Sequence, residues 1–226
     1  ERNQLDFVAD DVIRIEKGQT PEEGFRVWKD EMIGAMPISF AQFVQGSISK
    51  YSGLRRELGY LKPLMRVDFL RTHDLYFRED MRLSEDYEFY ARSLARGARW
   101  EVIDPCGYIA VSTPGSLSYN FPTSALQKVL LHDRELLAHP NLTPEDRKML
   151  REHIYHVSKD YAWRMLIDGG RAHSVTQITQ ALTQSPLVAG TVLVRTAKHF
   201  LGIPVLPKYS NSGRIRAGKS AKHLFT

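Results

Sequence analysis

The sequence predicts a mixed α/β body carrying a mostly helical C-terminal extension, and three observations support this. Short strand-like runs, separated by Pro- and Gly-rich turns and brief helical stretches, occupy the first 120 residues. From Pro122 onward the apolar residues recur at helical spacing instead. Past Pro204 the chain becomes polar, basic and rich in Gly and Ser, a composition with little to bury. The expected organisation is therefore a body over 1–120, a helical extension over 121–203 and a basic tail over 204–226 with little fixed structure.

Leu5 to Ile15 reads as a strand, broken or bent where Asp10-Asp11 interrupts the apolar run. A loop of Pro, Glu and Gly leads to a short strand over Phe25-Arg26-Val27-Trp28. Short helices are predicted over Pro37 to Val44 and Pro63 to Thr72, and a longer one over Ser84 to Arg96. Strands follow over Trp100 to Ile103 and Tyr108 to Val111, with Pro105 and Gly107 marking the turn between them. In the extension, Leu126, Val129, Leu130 and Leu137 share one helical face. Thr143-Pro144-Glu145-Asp146 is an N-cap with proline in the first turn. Leu150, Ile154, Val157, Tyr161 and Met165 form the stripe of that helix, and Gly169-Gly170 is its expected end. Two more helices are predicted, over Ser174 to Gln184 and Pro186 to Leu201.

At 226 residues the chain can hold one domain with an extension, or two small domains. A hydrophobic share of 42% and a charged share of 25% exclude a wholly disordered chain. The single cysteine, Cys106, excludes an internal disulfide. With no histidine paired to it, it reads as a small buried residue and not a nucleophile. The longest apolar run, near Leu187 to Val194, is far short of the ~20 residues that span a bilayer. No signal peptide precedes the first strand, so a cytoplasmic location is expected.

The net charge of +5 conceals an asymmetry. After Asp168 there is no acidic residue, while Arg171, Arg195, Lys198, Lys208, Arg214, Arg216, Lys219 and Lys222 contribute +8. The first 168 residues carry 23 basic against 26 acidic side chains. Such an end suits an anionic partner, and it equally suits a solvated tail that aids solubility. Within Pro186 to Leu201, apolar Leu187, Val188, Val192, Leu193 and Phe200 alternate with Arg195, Lys198 and His199. That helix either closes the body or lies in a membrane interface.

The most informative segment is Leu83-Ser84-Glu85-Asp86-Tyr87-Glu88-Phe89-Tyr90, ending at Gly97. Ser84 is a candidate N-cap, and Tyr87, Tyr90, Ala91 and Leu94 make one apolar stripe. Glu85 and Asp86 then fall in the first turn, where the helix dipole favours negative charge by a few tenths to about 1 kcal/mol. Acids at a helix start are also ordinary capping chemistry, so the pair alone identifies nothing.

Flanking blocks sharpen the reading. Gly59-Tyr60-Leu61-Lys62-Pro63-Leu64 and Phe69-Leu70 precede the helix. Leu94-Ala95-Arg96-Gly97-Ala98-Arg99-Trp100, Pro105-Cys106-Gly107-Tyr108 and Gly115-Ser116-Leu117-Ser118 follow it. In this order and spacing the blocks resemble the acceptor-side half of family 2 glycosyltransferases, nearest to the bacterial exopolysaccharide (succinoglycan-type) enzymes. The likeness covers about half the chain, residues 4–118. It implies a GT-A, Rossmann-like nucleotide-diphospho-sugar transferase fold, of which this chain carries an α+β portion. It implies transfer of a sugar, with inversion, from a nucleotide-sugar donor to a glycan or polyprenyl-diphosphate-linked acceptor.

By the same resemblance Asp86 maps onto the catalytic base, and Glu85 onto a residue orienting the acceptor or its loop. A divalent cation (Mg or Mn) is implied too, with its main ligands outside this chain, since neither the nucleotide-binding half nor its DxD motif is recognisable. Asp10 and Asp11 are weak candidate metal ligands, with strand-end turn chemistry the competing reading. Lys62, Arg55, Arg56 and Arg66 surround the Gly59 loop and could hold an acceptor phosphate, or form an exposed basic face.

Other patterns carry less. Gly213 to Ser220 matches P-loop spacing but lacks the strand before and the helix after that phosphate binding needs. His153 and His156 share a helix face without further metal-ligand partners, which favours a structural or solvent-facing role. The competing functional class is a non-catalytic binding module using the basic helical end on anionic membrane or nucleic acid. No specific nucleic-acid partner is expected.

Overall fold

The computed structural model describes residues 5–26, 34–48, 58–112 and 121–201. Arg55, Arg56, Val27, Trp28, the Gly115 to Ser118 block, the P-loop-like segment and the tail lie outside these residues. The body holds β1 (Phe7–Asp10), β2 (Ile13–Glu16), β3 (Phe25–Arg26), β4 (Ala35–Pro37), α1 (Phe40–Gly46), β5 (Leu64–Met65), α2 (Val67–Thr72), α3 (Glu85–Ala95), β6 (Trp100–Ile103) and β7 (Ile109–Ser112). The extension holds α4 (Thr123–Leu137), α5 (Pro144–Arg171), α6 (Val175–Leu182) and α7 (Pro186–Phe200).

Two parallel ribbons organise the body. β1 pairs with β6 in a four-stranded sheet of order β4-β6-β1-β5. β2 pairs with β7 in a three-stranded sheet of order β3-β2-β7. Because β1 runs into β2, and β6 into β7, both ribbons cross between the sheets at one level, the predicted Asp10-Asp11 bend. Period-two alternation buries Phe7 and Ala9 on β1, and Trp100 and Val102 on β6. Trp100 lies against Phe7, Phe43 and Tyr90, with ring centroids 5.8, 5.5 and 5.2 Å apart. α3 packs here through Tyr87, Tyr90, Ala91 and Leu94, the stripe expected of it.

Leu142 and Leu150 of the helical extension belong to this same core. A second cluster joins α5 to α7 through Ala162, Trp163, Val188 and Val192. Among the described residues, no helix is long and apolar enough to cross a membrane.

Three predicted elements differ in extent. Pro37 belongs to β4, and α1 starts only after Ser39. There the Ser39 hydroxyl accepts the Gln42 N–H at 3.2 Å and the Gln42 side chain accepts the Ser39 N–H at 2.9 Å. The predicted Pro63 to Thr72 helix is split, because Leu64–Met65 pairs with β1 and the Arg66 N–H donates to the Asp6 carbonyl at 2.8 Å. Gly169-Gly170 does not end α5, which continues to Arg171. A Cβ at Gly169 would approach Gln177 and Ile178 to 3.0–3.2 Å, so glycine here lets α6 lie close against α5. The chain leaves the helical conformation at His173, with φ 51°.

Candidate functional site

α3 begins from a strained residue. Ser84 takes the left-handed conformation, φ 59° and ψ 28°, which costs a non-glycine residue roughly 1 kcal/mol. Its hydroxyl makes no cap bond, contrary to the N-cap expected of it, and its carbonyl accepts the Glu88 N–H at 3.0 Å. Asp86 therefore stands in the first turn without a side-chain cap before it. Its Oδ2 instead accepts a charge-assisted hydrogen bond from Lys62 Nζ. The Asp86 side chain is 27% exposed and that of Lys62 49%, so the pair sits at the surface and is neither sealed in apolar packing nor fully solvated. Among the described residues Asp86 Oδ1 accepts no hydrogen bond.

The Lys62 loop is fixed to the helix from below. Leu58 and Leu61 are buried, and the buried Tyr90 hydroxyl donates to the Leu61 carbonyl at 3.2 Å. Gly59 packs on the first turn of α3, where a Cβ would meet Tyr87 at 3.7–3.8 Å. Burial, followed by the nearby Asp86 charge, pushes the Tyr90 phenol well above its ordinary range, so it remains a donor to Leu61. Tyr90 stands one turn beyond Asp86, so the residue carrying the loop and the residue the loop pairs with share one helix.

Other sequence candidates go elsewhere. Glu85 is half-buried beside Asp86. Arg66 joins Arg99 on the buried Asp6, as strand β5 pairs with β1, and does not join Lys62. Asp10 Oδ2 accepts the backbone N–H groups of Cys106, Gly107 and Tyr108 at 3.1, 3.1 and 2.9 Å. Asp11 is buried, bonding the Val12 N–H at 2.8 Å and Arg26 at 3.1 Å. Both thus perform turn and ribbon chemistry. Among the described residues no group of three or more His, Cys, Asp or Glu side chains converges as a metal site requires. Hard-cation coordination is not met by these residues, and no cation enters the chemistry derived from them. Cys106, expected to be buried, is exposed: its turn is held through its N–H, which leaves its thiol outside. A cavity of about 590 Å³ between α1 and the start of α5, lined in part by Gln42, Gln45 and Lys148, contains none of the candidate residues.

The Asp10 turn has a pH signature. Burial alone would raise the Asp6 and Asp10 carboxyls, but hydrogen bonds from Arg99 to Asp6 and from Tyr108 and Cys106 to Asp10 outweigh it, with help from the Arg66 and Arg99 charges at Asp6. Both therefore lie below their ordinary 3.8. A carboxyl lowered in the folded state contributes its stability above the unfolded value and loses it as pH falls through the folded one. Urea midpoints taken from about pH 6 to about pH 3 should drop below about pH 4. Asp10→Asn should weaken the protein at neutral pH and flatten that drop.

Two curated proteins are similar to the chain. Over 221 residues the chain is 38% identical to the succinoglycan biosynthesis protein ExoU of Rhizobium meliloti (strain 1021), covering 93% of this chain and 63% of that protein. Its similarity is to succinoglycan biosynthesis proteins. Over 94 residues it is 31% identical to a second, ExoO of the same strain, covering 41% of this chain and 26% of that protein. The chain thus spans less than two thirds of the length of the curated relatives it matches. No family model matches it.

Sequence reasoning missed the polar supports behind α3. Buried Glu88 receives Arg78 Nε at 3.0 Å and Arg92 Nε at 2.7 Å, and Arg92 also holds the Tyr76 carbonyl at 2.6 Å. Tyr87, next to Asp86, donates its hydroxyl to Asp133 of α4 at 3.2 Å. The other Asp133 oxygen takes His153 Nδ1 of α5 at 2.7 Å. Only the Glu88–Arg92 pair carries a local signal, its spacing of four.

Proposed function

We propose that this chain supplies the acceptor-side, base-bearing part of a family 2-like, inverting glycosyltransferase with a GT-A fold, acting in polysaccharide biosynthesis. The observation that carries the reading is Asp86, a partly exposed carboxylate with one oxygen held by Lys62 and the other open among the described residues. Similarity to two succinoglycan biosynthesis proteins supports a role in polysaccharide biosynthesis.

In the proposed reaction an acceptor hydroxyl lies against Asp86 Oδ1. The hydroxyl proton passes to that oxygen as the acceptor oxygen bonds to the anomeric carbon of the donor. The bond from that carbon to the diphosphate breaks on the opposite face, which inverts the configuration and releases the nucleoside diphosphate. A positioned carboxylate suffices because the proton moves only as the new bond forms. Lys62 has two tasks: its ammonium orients the carboxylate, and it offers positive charge to a phosphate-bearing acceptor. Glu85 orients the acceptor on the same turn.

Lys62→Ala tests this assignment. The KM for a polyprenyl-diphosphate-linked acceptor should rise about tenfold or more, while that for the nucleotide sugar stays nearly unchanged. An unchanged acceptor KM would remove Lys62 from acceptor binding.

A further inference from the structure

α7 has two unlike faces. Its inner face buries Val188 and Val192 against Ala162 and Trp163 of α5, and Arg195 reaches Asp160 at 2.8 Å. On its outer face Leu187, Leu193 and Val194 are 65%, 58% and 55% exposed, and Leu201 just beyond is 73% exposed. Gly190, Ala197 and Lys198 are the exposed residues between them. Scattered apolar residues on a surface are ordinary, but a row of them along one helix marks a contact. Lys198 is the charge on that row, and the sequence after Asp168 has eight basic residues and no acidic one.

We infer that the outer face of α7 docks on an anionic lipid surface. The helix lies flat, its leucines and valine enter the boundary between headgroups and acyl chains, and Lys198 meets lipid phosphates. At 15 residues α7 is too short to cross a bilayer. Charge decides between the possible occupants. A second copy would bring its own Lys198 and no acidic residue of the row to the contact, which opposes self-association through this face. A nucleic acid would satisfy the charge and leave the apolar row without a partner. An anionic bilayer satisfies both. The inference does not depend on the role of Asp86.

The test is flotation of the full chain with phosphatidylcholine vesicles, either pure or containing about one third phosphatidylglycerol. The protein should rise with the anionic vesicles and not with the neutral ones, and should be released as salt approaches about 0.5 M. Leu193→Glu combined with Val194→Glu should reduce the bound fraction about tenfold. The melting temperature should not change, since both side chains are exposed. Lys198→Glu, a change of charge alone, should reduce binding several-fold. The inference is overturned if the wild type stays at the bottom of the gradient with anionic vesicles, or if the double variant floats equally. It is also overturned if the protein is a dimer that the double variant separates while vesicles bind neither form.

Discussion

Asp86→Asn, in the protein as the cell makes it, should lower kcat for sugar transfer by roughly 10³-fold. The substitution separates chemistry from structure. An asparagine oxygen can still accept the Lys62 hydrogen bond, so the first turn of α3 and the loop below it keep their arrangement. Lys62, half exposed, loses its ion pair to solvent at little cost. What disappears is the capacity to take a proton from the acceptor. Steady-state rates with a radiolabelled nucleotide sugar measure the effect, and an unchanged donor Kd and melting curve would confine it to chemistry. A rate within a few-fold of wild type would end the assignment of Asp86 as base. Glu85→Gln should change acceptor KM more than kcat, because orientation needs a hydrogen-bonding group and not a proton acceptor.

How much of this was legible in the sequence follows from where each residue's partner lies. The stripe Tyr87, Tyr90, Ala91 and Leu94 marks the buried face of α3 correctly, because helical periodicity is local. The strands over Trp100 to Ile103 and near Tyr108 to Val111 also appear within a residue, from β-rich runs between turn residues. Pairing over distance is a different matter. Lys62 and Arg66 look alike in sequence, four residues apart on a basic stretch. Strand β5 pairs with β1 and brings Arg66 to Asp6, while the Tyr90 bond to Leu61 sets Lys62 at Asp86. Glu88 and Ser93 are buried although polar, one satisfied by two arginines and the other by the Phe89 carbonyl at 2.7 Å, and hydropathy is blind to both. Residue type alone marks Ser84 as a cap, yet capping depends on backbone angles, and with its left-handed φ the hydroxyl makes no cap bond.

The largest expected loss of stability lies at Asp133, although it touches neither Asp86 nor Lys62. Tyr87 of α3, Asp133 of α4 and His153 of α5 are all buried, so one carboxylate ties three helices together. The Tyr87 hydroxyl lies 3.1 Å from His153 Nδ1 and 3.2 Å from Asp133 Oδ1; the shorter 2.7 Å contact gives the ring proton of Nδ1 to Asp133 Oδ2, so the hydroxyl donates to Oδ1. Burial and then the Asp133 charge hold the Tyr87 phenol far above its ordinary range, so it stays a donor. Asp133→Ala removes the acceptor both groups share; the Tyr87 hydroxyl, 3.1 Å from His153 Nδ1, regains a partner there only if the ring proton moves to Nε2, and the change should cost about 2–3 kcal/mol, measured as a loss in urea unfolding free energy. Asp133→Asn keeps an acceptor and should recover part of that loss. Tyr87→Phe removes one donor together with the group that needed a partner, and should cost only about 1 kcal/mol. In the double variant the Tyr87→Phe and Asp133→Ala costs should therefore fall short of their sum, because the second change removes a group the first left unpaired. Strict additivity, or an Asp133→Ala cost below about 1 kcal/mol, would show that the helical extension does not brace the helix carrying Asp86 through this carboxylate.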